Sequence, residues 1–289
     1  MESLENSSSI RELEPESSVL YVVGTPIGNV KDISERSINL LSKVSFIACE
    51  DTRRTKRLLN LLSIKSKLVS FNEYNSKVKI DYILKELKGG SSIALVSDAG
   101  MPSISDPGVY LIDRARENNI EVICSPGPCA ALTALVSSGL PSQYFLFIGF
   151  IPKKNNERVR CFNIIANNAF TSIIYESPKR VKSFLQEFNN YCDNSRKIHI
   201  SKELTKKYEQ HWRGSINKIR EEIENLDLKG EFTIIIEGKN IKKDRVIQIE
   251  KELKQDLDEL VKLGLKRTAA ASYLSKKSGL GKNFIYNLR

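Results

Sequence analysis

The chain has 289 residues, of which 40% are apolar and 28% are charged, and its formal net charge is +10. This composition is ordinary for a globular protein with room for two compact domains, and no stretch approaches the roughly 20 apolar residues that span a bilayer. Residues 1–17 are acidic and serine-rich and lack the apolar core of a secretory signal. We therefore predict a disordered extension there and no membrane association.

Cysteine and histidine are sparse. The five cysteines (Cys49, Cys124, Cys129, Cys161 and Cys192) form no CxxC pair, which predicts reduced thiols in or near the core and a cytoplasmic location. The two histidines, His199 and His211, are too few to favour a zinc site or a Ser-His-Asp triad. We expect no metal.

Strand-like and helix-like patterns alternate along the chain. Predicted strands cover residues 19–24, 46–50, 68–71, 93–97, 121–125, 144–150, 171–176, 197–201, 209–214 and 232–237. Predicted helices cover residues 33–41, 52–61, 78–87, 109–118, 129–138, 159–167, 179–189 and 216–226. The first five strands form one βα series, which implies a sheet with helices on both faces.

We divide the chain into the extension (1–17), an N-terminal α/β domain (18–138), a second α/β domain (139–240) and a basic helical C-terminal unit (241–289). Joining two α/β domains near residues 138–143 leaves a cleft between them. The last 49 residues hold 12 Lys and Arg against 6 Asp and Glu. Predicted helices at 250–263 and 267–277, a turn at 278–281 and a final helical stub have the spacing of a helix-turn-helix. This unit favours a polyanionic partner; the alternative is a solvated lysine-rich surface.

Two motifs follow the first two strands. One is GTPIGN (24–29), which together with the acidic pair Glu50-Asp51 imitates a dinucleotide site. It lacks the third glycine of such a site, so the alternative is a plain turn and an exposed acidic corner. In CEDTRRTKR (49–57), Asp51 or Thr52 can cap the next helix. Four of the five residues from 53 to 57 are basic and oppose the helix dipole, unless a phosphate binds there. This arrangement favours a nucleic-acid backbone contact over a solvated face.

Further demanding loops stand at predicted strand ends. They are LVSDAGMPSISDPG (95–108), SPGPCAA (125–131), YESPKR (175–180), ELTK (203–206) and KGEF (229–232). Each alone reads as a structural turn. Together they predict a ligand cleft, since α/β proteins bind ligands at the carboxyl ends of strands.

The order and spacing of eight motifs resemble the ribosomal RNA small subunit methyltransferase I family, which has the tetrapyrrole-methylase-like fold. The motifs are VVGTPIGN, CEDTRRT, LVSDAGMPSISDPG, SPGPCAALTALVSSGLPS, GFIP, YESPKR, KELTKKYEQHWRG and KGEFTIII. The resemblance runs from about Val19 to the C-terminal helices. One departure is Met101, where Thr is common; a Met side chain can pack beside an adenine or a thioether.

The resemblance implies a function. It implies S-adenosylmethionine-dependent 2′-O-methylation of a cytidine ribose in the decoding region of small-subunit (16S) rRNA. It also implies two α/β domains with the cofactor in the cleft between them, rRNA or the small ribosomal subunit as the substrate, and a homodimer.

The resemblance also implies roles for the loops. The loop at 97–108 resembles the cofactor loop, which Pro102 and Pro107 would hold in shape. Implied cofactor residues are Asp98, Ala99, Gly100, Ile104, Ser105, Pro126, Cys129, Ala130, Tyr175, Gly230 and Glu231. Implied substrate residues are Thr25, Pro26, Gly28, Asn29, Arg53, Arg54, Lys179 and Arg180. The GTPIGN turn then faces RNA rather than holding a nucleotide cofactor.

Attack by a ribose hydroxyl needs alignment and a proton acceptor. The candidates are Asp51, Glu176, Glu203 and Lys206; we favour Asp51, because Arg53 and Arg54 would bring a ribose-phosphate beside it. Its alternative role is that of a helix cap. Two alternative functions remain: a tetrapyrrole-type small-molecule methylase of the same fold, and a DNA-binding regulator built on the helix-turn-helix.

Overall fold

The structure, a computed structural model, describes residues 14–72 and 76–288. Contacts divide the chain into one unit of Met1–Ala166 and Phe170–Glu237 and another of Asn167–Ala169 and Gly238–Arg289. Residues 1–13 of the predicted disordered extension lie outside the described residues. Glu14 is buried, and its two carboxylate oxygens accept hydrogen bonds from the Arg36 guanidinium. The folded chain therefore reaches back at least to Glu14 rather than to residue 18.

The first sheet is parallel throughout, in the order β3-β2-β4-β1-β5. Its strands are β1 (Val19–Val23), β2 (Phe46–Cys49), β3 (Leu68–Ser70), β4 (Ile93–Val96) and β5 (Glu121–Ser125), and its helices are α1 (Glu35–Lys43), α2 (Thr52–Leu61), α3 (Ser76–Lys88) and α4 (Val109–Glu117). Side chains alternate across it, since Ile47 and Cys49 pack with α1 and α2, whereas Phe46 and Ala48 pack with α3 and α4. The predicted sheet with helices on both faces is confirmed.

The chain reverses its direction of travel across this sheet at β1 and β4. β1 leads to β2 past β4, whereas β4 leads to β5 past β1. At such a reversal, the loops that follow the two neighbouring strands diverge and leave a crevice at their carboxyl ends. The loops after β1 and β4 therefore border this crevice.

The second sheet is mixed, in the order β6-β7-β10-β8-β9, with only β6 and β7 parallel. Its strands are β6 (Phe145–Phe150), β7 (Thr171–Glu176), β8 (Lys197–Lys202), β9 (Gln210–Ser215) and β10 (Phe232–Ile236), and α6 (Asn155–Asn167), α7 (Pro178–Phe188) and α8 (Ile216–Ile223) cover one face. The other face packs on α5 (Ala130–Ser138) through Ala134, Leu135, Ile173 and Ile235. The predicted N-terminal domain (18–138) includes α5, whereas the apolar side of α5 packs on β7 and β10 of the second sheet.

The C-terminal unit contains α9 (Ile241–Lys262), α10 (Arg267–Ser278) and α11 (Lys282–Tyr286). Its core includes Leu257, Leu274 and Ile285. The predicted start of this helix, at residue 250, is wrong, since α9 begins at Ile241. The β-branched residues Val246, Ile247 and Ile249 have low helix propensity, which is why the sequence pattern did not predict the first turns. Within the described ranges, no helix is long and apolar enough to cross a membrane.

The cysteines are all free thiols. Cys49 and Cys161 are buried, and Cys129 and Cys192 are partly buried. Cys124 is exposed because it lies on the edge strand β5, so the predicted core location is wrong for this residue.

Candidate active site

A cavity of about 430 Å³ lies at the carboxyl edge of the first sheet. Residues of β6, β7 and β10 in the second sheet also line it. Its volume is within the usual range for small-molecule sites. Ten of the eleven predicted cofactor residues line it: Asp98, Ala99, Gly100, Ile104, Ser105, Cys129, Ala130, Tyr175, Gly230 and Glu231. Pro126 lies outside the wall. The cleft predicted from the two α/β halves is present.

Two close backbone approaches join the loops that border this cavity. Thr25 N donates to Gly100 O at 2.9 Å, and Gly100 N donates to Thr25 O at 3.1 Å. A Cβ on Gly24 would lie 2.6 Å from the Cα of Gly127, so no side chain fits between these residues. The turn after β1 (residues 24–29, the β1 turn), the loop after β4 (residues 97–108, the β4 loop) and the loop between β5 and α5 (residues 126–129) therefore form one continuous rim.

The β4 loop holds an unusual backbone conformation. The φ angle is 82° at Gly100, 70° at Ser103 and 65° at Ser105. Positive φ at a residue other than glycine costs about 1–3 kcal/mol and persists only where the surroundings fix it. The loop is thus preformed, and its residues Ala99 and Gly100 line the cavity.

The cavity wall is acidic. It carries Glu50, Asp98, Asp106, Glu176 and Glu231, against Arg54 as its one described basic residue. Burial raises the pKa of Glu50, and the neighbouring carboxylates of Asp98 and Asp106 raise it further. Burial also raises the pKa of Asp106. A bound cation would stabilise these carboxylates in their charged form.

Aromatic rings also line the first cavity. The rings of Phe147 and Phe150 meet the ring of Tyr175 edge-on, with centroids 5.3 and 5.6 Å away. Tyr175 Oη accepts a hydrogen bond from Ala131 N at 3.2 Å, and burial raises the pKa of its phenol. Tyr175, Phe150 and Ile104 line the cavity and offer apolar surface to a planar ring. S-adenosylmethionine, which the sequence resemblance implies, combines a planar base with a sulfonium and an ammonium group, so the wall fits this group.

A second cavity, of about 660 Å³, adjoins the first. Four residues line both: Ile27, Arg54, Asp98 and Ala99. The predicted substrate residues Pro26, Gly28, Arg53 and Arg54 line the second cavity, together with Arg57 and the apolar side chains of Val30, Leu58 and Leu61. A third cavity of about 450 Å³ continues along α2 past Arg53, Lys56, Arg57, Asn60 and Leu61. We call the second and third cavities the α2 groove.

The α2 groove extends beyond the predicted substrate residues. Arg57, one helical turn beyond Arg53, belongs to the basic run at 53–57 that predicts a nucleic-acid contact. Leu61, two turns beyond Arg53, was missed, and the i, i+4 spacing along α2 was the signal that would have found it. In the first cavity, Glu50 and Asp106 are absent from the implied cofactor residues. Glu50 stood in the acidic pair that imitates a dinucleotide site, whereas Asp106 lies inside the loop after β4, where no spacing rule distinguished it from a turn residue.

Asp51, the favoured base, is a helix cap. Its Oδ1 accepts from Arg53 N at 2.8 Å, and its Oδ2 lies 2.8 Å from the Arg53 guanidinium. These bonds hold the pKa of Asp51 well below its usual range, with the Arg53 side chain as the largest cause. A carboxylate with so low a pKa is a weak proton acceptor.

Glu176 has the opposite character. Its side chain is buried, its Oε1 accepts from Ser177 N at 2.8 Å, and its Oε2 lies 3.3 Å from the Arg180 guanidinium. Burial raises the pKa of Glu176 above its usual value despite the nearby arginine. Among the four predicted catalytic residues, Glu176 lines the first cavity and Asp51 the α2 groove.

Glu203 and Lys206 form a cluster with Glu231. Lys206 Nζ lies 2.8 Å from Glu203 Oε1 and 3.0 Å from Glu231 Oε2. Burial is the largest cause and acts to raise the pKa of Glu203 and to lower that of Lys206, but the hydrogen bonds and charges of the cluster together outweigh it and shift both pKa values the other way. Glu203 is therefore a weakened proton acceptor and Lys206 is held protonated, so neither is favoured as a base.

The remaining predicted substrate residues lie outside the walls of both cavities. Thr25 is buried beneath the rim, and Asn29 caps a short 3-10 turn at Val30–Asp32. Lys179 is exposed on α7. The Arg180 guanidinium donates to the carbonyl of Ile151 at 2.9 Å, so it is turned toward the chain after β6. Within the described part of the chain, no group of three or more His, Cys, Asp or Glu residues is arranged to hold a metal ion.

Comparison with known proteins agrees with this geometry. The family model described as tetrapyrrole (corrin/porphyrin) methylases matches residues 19–220. The ribosomal RNA small subunit methyltransferase I of Halalkalibacterium halodurans is 40% identical over 271 residues, which cover 93% of each chain. That of Synechocystis sp. is 38% identical and covers 93% of this chain and 96% of its own. That of a Hydrogenobaculum species is 42% identical over 223 residues, 76% of this chain and 96% of its own.

Solved structures share the fold at low identity. The uroporphyrin-III C-methyltransferase of Thermus thermophilus is 14% identical, covers 76% of this chain and 94% of its own, and has a TM-score of 0.55. A further structure of the Thermus thermophilus enzyme, solved with S-adenosyl homocysteine, covers 75% and 96% with a TM-score of 0.52 at 14% identity. The chain belongs to the tetrapyrrole methylase family and, within it, to the ribosomal RNA small subunit methyltransferase I family.

Proposed function

We propose that the protein transfers a methyl group from S-adenosylmethionine to the ribose 2′ oxygen of a cytidine in small-subunit rRNA. The observation that carries this proposal is the charge of two adjoining cavities. The first is acidic and suits a cationic cofactor, whereas the α2 groove is basic and suits phosphates. Their shared wall of Ile27, Arg54, Asp98 and Ala99 is where a methyl donor and an acceptor would meet.

On the cofactor side, the residues divide by chemistry. Asp98, Asp106 and Glu50 would face positive charge, the main chain at Ala99 and Gly100 would accept or donate hydrogen bonds, and Tyr175 with Phe150 would flank the base. When bound, S-adenosylmethionine supplies an electrophilic methyl group on sulfur. The preformed β4 loop lowers the ordering cost of binding.

On the RNA side, α2 presents Arg53, Lys56 and Arg57 along one exposed face. The cations in the first turns of α2 interact unfavourably with the helix dipole. A phosphate bound in the groove would interact favourably with both the dipole and the cations. Val30, Leu58 and Leu61 supply apolar surface for a base or sugar beside these charges. A basic groove that follows the nucleic-acid backbone is typical of single-stranded nucleic-acid sites.

Proton removal falls to Glu176 among the four predicted candidates. Its raised pKa brings it closer to the operating pH, which favours general-base catalysis. Asp51 would instead cap α2 and orient Arg53. Holding the ribose in line with the methyl group would supply much of the rate acceleration, because alignment alone is worth several orders of magnitude.

The C-terminal unit adds a second basic surface. Residues 264–289 contain six Lys and Arg and no Asp or Glu. The side chains of Lys276, Lys277 and Lys282 are exposed, as are the rings of Tyr273 and Phe284. Cations interleaved with aromatic rings favour RNA as the partner of this unit.

We also infer a homodimer, as the family resemblance implies. Leu132 and Val136, one turn apart on α5, are 49% and 79% exposed. A subunit contact through α5 would remove both side chains from water. Light scattering on the full chain, with Leu132→Asp plus Val136→Asp as the variant, tests this: a dimer that dissociates supports it, and a monomeric parent contradicts it.

A tetrapyrrole methylase is the second candidate, because the solved structures of this fold include uroporphyrin-III methyltransferase. A basic groove would also hold the carboxylates of such a substrate. The test offers the protein labelled S-adenosylmethionine with either unmodified small ribosomal subunits or uroporphyrinogen III. We expect label in the RNA and none in the tetrapyrrole; the reverse result would overturn the proposal.

A further inference from the structure

The loop between β8 and β9, residues 203–209, packs directly on the turn after β1. A Cβ on Gly28 would overlap Lys206 Cγ and would lie 2.8 Å from Thr205 Oγ1. Asn29 N donates to Thr205 Oγ1 at 3.0 Å. The loop therefore touches the backbone of the turn whose Pro26, Ile27 and Gly28 line the α2 groove.

This loop has a strained backbone that other groups hold in place. The φ angle is 53° at Glu203 and 66° at Thr205, and a β-branched residue such as threonine adopts positive φ only under constraint. At one end, Glu203 Oε1 accepts from Glu231 N at 3.0 Å. At the other end, Glu209 Oε2 accepts from Thr205 N at 2.7 Å.

Glu209 is in turn fixed by a histidine on β9. His211 Nε2 lies 2.8 Å from Glu209 Oε1. Because an ionised carboxylate only accepts hydrogen bonds, this nitrogen carries a proton, and in the neutral ring His211 Nδ1 is an acceptor. That nitrogen lies 3.2 Å from Ser201 Oγ and 3.3 Å from His199 Nε2.

His199, on β8 of the second sheet, is the last residue in this series of contacts. It is buried, and burial lowers its pKa to about 4, so the ring is neutral at neutral pH. Its Nδ1 is buried without a hydrogen-bond partner, whereas its Nε2 lies 3.0 Å from Ser201 Oγ. The proton therefore belongs on Nε2, since an orphaned lone pair costs less than an orphaned N–H. Ser201 is fully buried, so it is no nucleophile.

We propose that Glu209 and His211 are positioning residues for the methyl acceptor. They fix Thr205, and Thr205 fixes the Gly28 turn that lines the acceptor side of the site. This inference rests on the function proposed above. The donor side of the same turn is held separately, by the paired hydrogen bonds between Thr25 and Gly100. Loosening the loop should therefore weaken RNA binding and spare the cofactor.

The test compares two substitutions at one position in the full chain. Thr205→Val keeps the branched shape but removes the acceptor for Asn29 N, whereas Thr205→Ser keeps the hydroxyl. We expect Thr205→Val to raise the KM for small ribosomal subunits about tenfold, the effect of one lost hydrogen bond, with kcat and the calorimetric Kd for S-adenosylmethionine near parental. The Thr205→Ser variant should have a KM close to that of the parental protein.

A second pair tests the origin of the effect. His211→Leu should raise the KM as Thr205→Val does, and the double variant should be no worse than either, because both break one chain of contacts. His211→Gln can still donate to Glu209 and should recover part of the loss. Equal KM values for the Val, Ser and parental proteins would overturn the proposal, as would a parallel loss of cofactor affinity.

Hydrogen exchange separates this inference from the proposed function. If the parental protein methylates no RNA, the proposed function fails, but exchange at the amide of Asn29 still reports the loop contact. Faster exchange there in Thr205→Val than in Thr205→Ser supports the positioning role. Identical exchange in both variants would contradict it whatever the substrate is.

Discussion

Arg54 and Asp98 form an ion pair on the wall that the two cavities share, with Arg54 Nη1 3.4 Å from Asp98 Oδ2. Asp98 also accepts a hydrogen bond from Asp51 N at 3.1 Å, which ties the β4 loop to the start of α2. One pair thus stands between the acidic cavity and the basic groove. A substitution of either residue would disturb both sides, so variants that test one side must avoid them.

Gly100→Ala should weaken cofactor binding. The new Cβ would lie 3.3 Å from Ile27 Cγ2, and both Gly100, which has a φ of 82°, and Ile27 line the first cavity. We expect calorimetric affinity for S-adenosylmethionine to fall at least tenfold, with a stability loss of about 1–2 kcal/mol from the positive φ.

Gly90→Ala is the matched control, because Gly90 has a φ of 96° with nothing within 4 Å of the added Cβ. It should show a similar loss of stability and no change in affinity. Equal affinities for the two variants would remove the β4 loop from the cofactor site.

Glu176→Gln should lower kcat by 10²-fold or more if Glu176 accepts the ribose proton. The parental rate should fall as the pH drops through the pKa of Glu176, which burial raises, and the Gln variant should lose this acid limb. The same raised pKa means that ionisation of Glu176 lowers the stability of the native state. The Gln variant should therefore gain stability relative to the parent as the pH rises through the pKa of Glu176.

Asp51→Asn supplies the contrast. Asn caps helices as well as Asp does, so a helix-cap role leaves kcat near parental. A large loss of turnover in Asp51→Asn, together with a normal rate in Glu176→Gln, would return the base role to Asp51.

Arg53→Ala plus Arg57→Ala should weaken RNA binding and reduce its salt dependence. Each lost phosphate contact lowers the slope of log K against log salt by about 1. Cofactor affinity should stay unchanged, since neither arginine lines the first cavity. Lys85→Ala plus Lys88→Ala on α3, which packs on the opposite face of the sheet, is the control of equal charge. Equal salt slopes for the two double variants would make the α2 arginines a solvated face.

Lys276→Ala plus Lys277→Ala should also reduce RNA affinity and its salt slope. The control is Lys254→Ala plus Lys262→Ala on α9, where the described residues from 250 to 262 carry more acids than bases. We expect filter-binding measurements to show a loss only for the α10 pair. Tighter binding of duplex DNA than of rRNA by the parent would favour the regulator hypothesis instead.

The parts of the site that sequence predicted are those with local signals. Glycine, proline and acidic residues at strand ends predicted a ligand cleft at the β4 loop and its neighbours. The family resemblance then implied the cofactor residues, most of which line one cavity. The pairing of Glu203 with Lys206 and Glu231 depends on β10 lying beside β8, a contact of distant segments that no local pattern encodes. The attachment of α5 to the second sheet was missed for the same reason.

The protonation states were also beyond local patterns. Asp51 and Glu176 both stand at the end of a strand, yet one pKa is lowered by Arg53 and the other is raised by burial. Only the folded neighbourhood distinguishes their pKa values, whereas the sequence favoured Asp51 because of the adjacent Arg53 and Arg54.

The most direct test of the central claim is the identity of the methylated nucleoside. Small ribosomal subunits lacking the modification would be incubated with the protein and labelled S-adenosylmethionine, and the rRNA would be digested to nucleosides and separated. The account predicts label in 2′-O-methylcytidine alone, from one site in the RNA. Label in a base-methylated nucleoside, or no label in RNA from a protein that binds the cofactor, would contradict it.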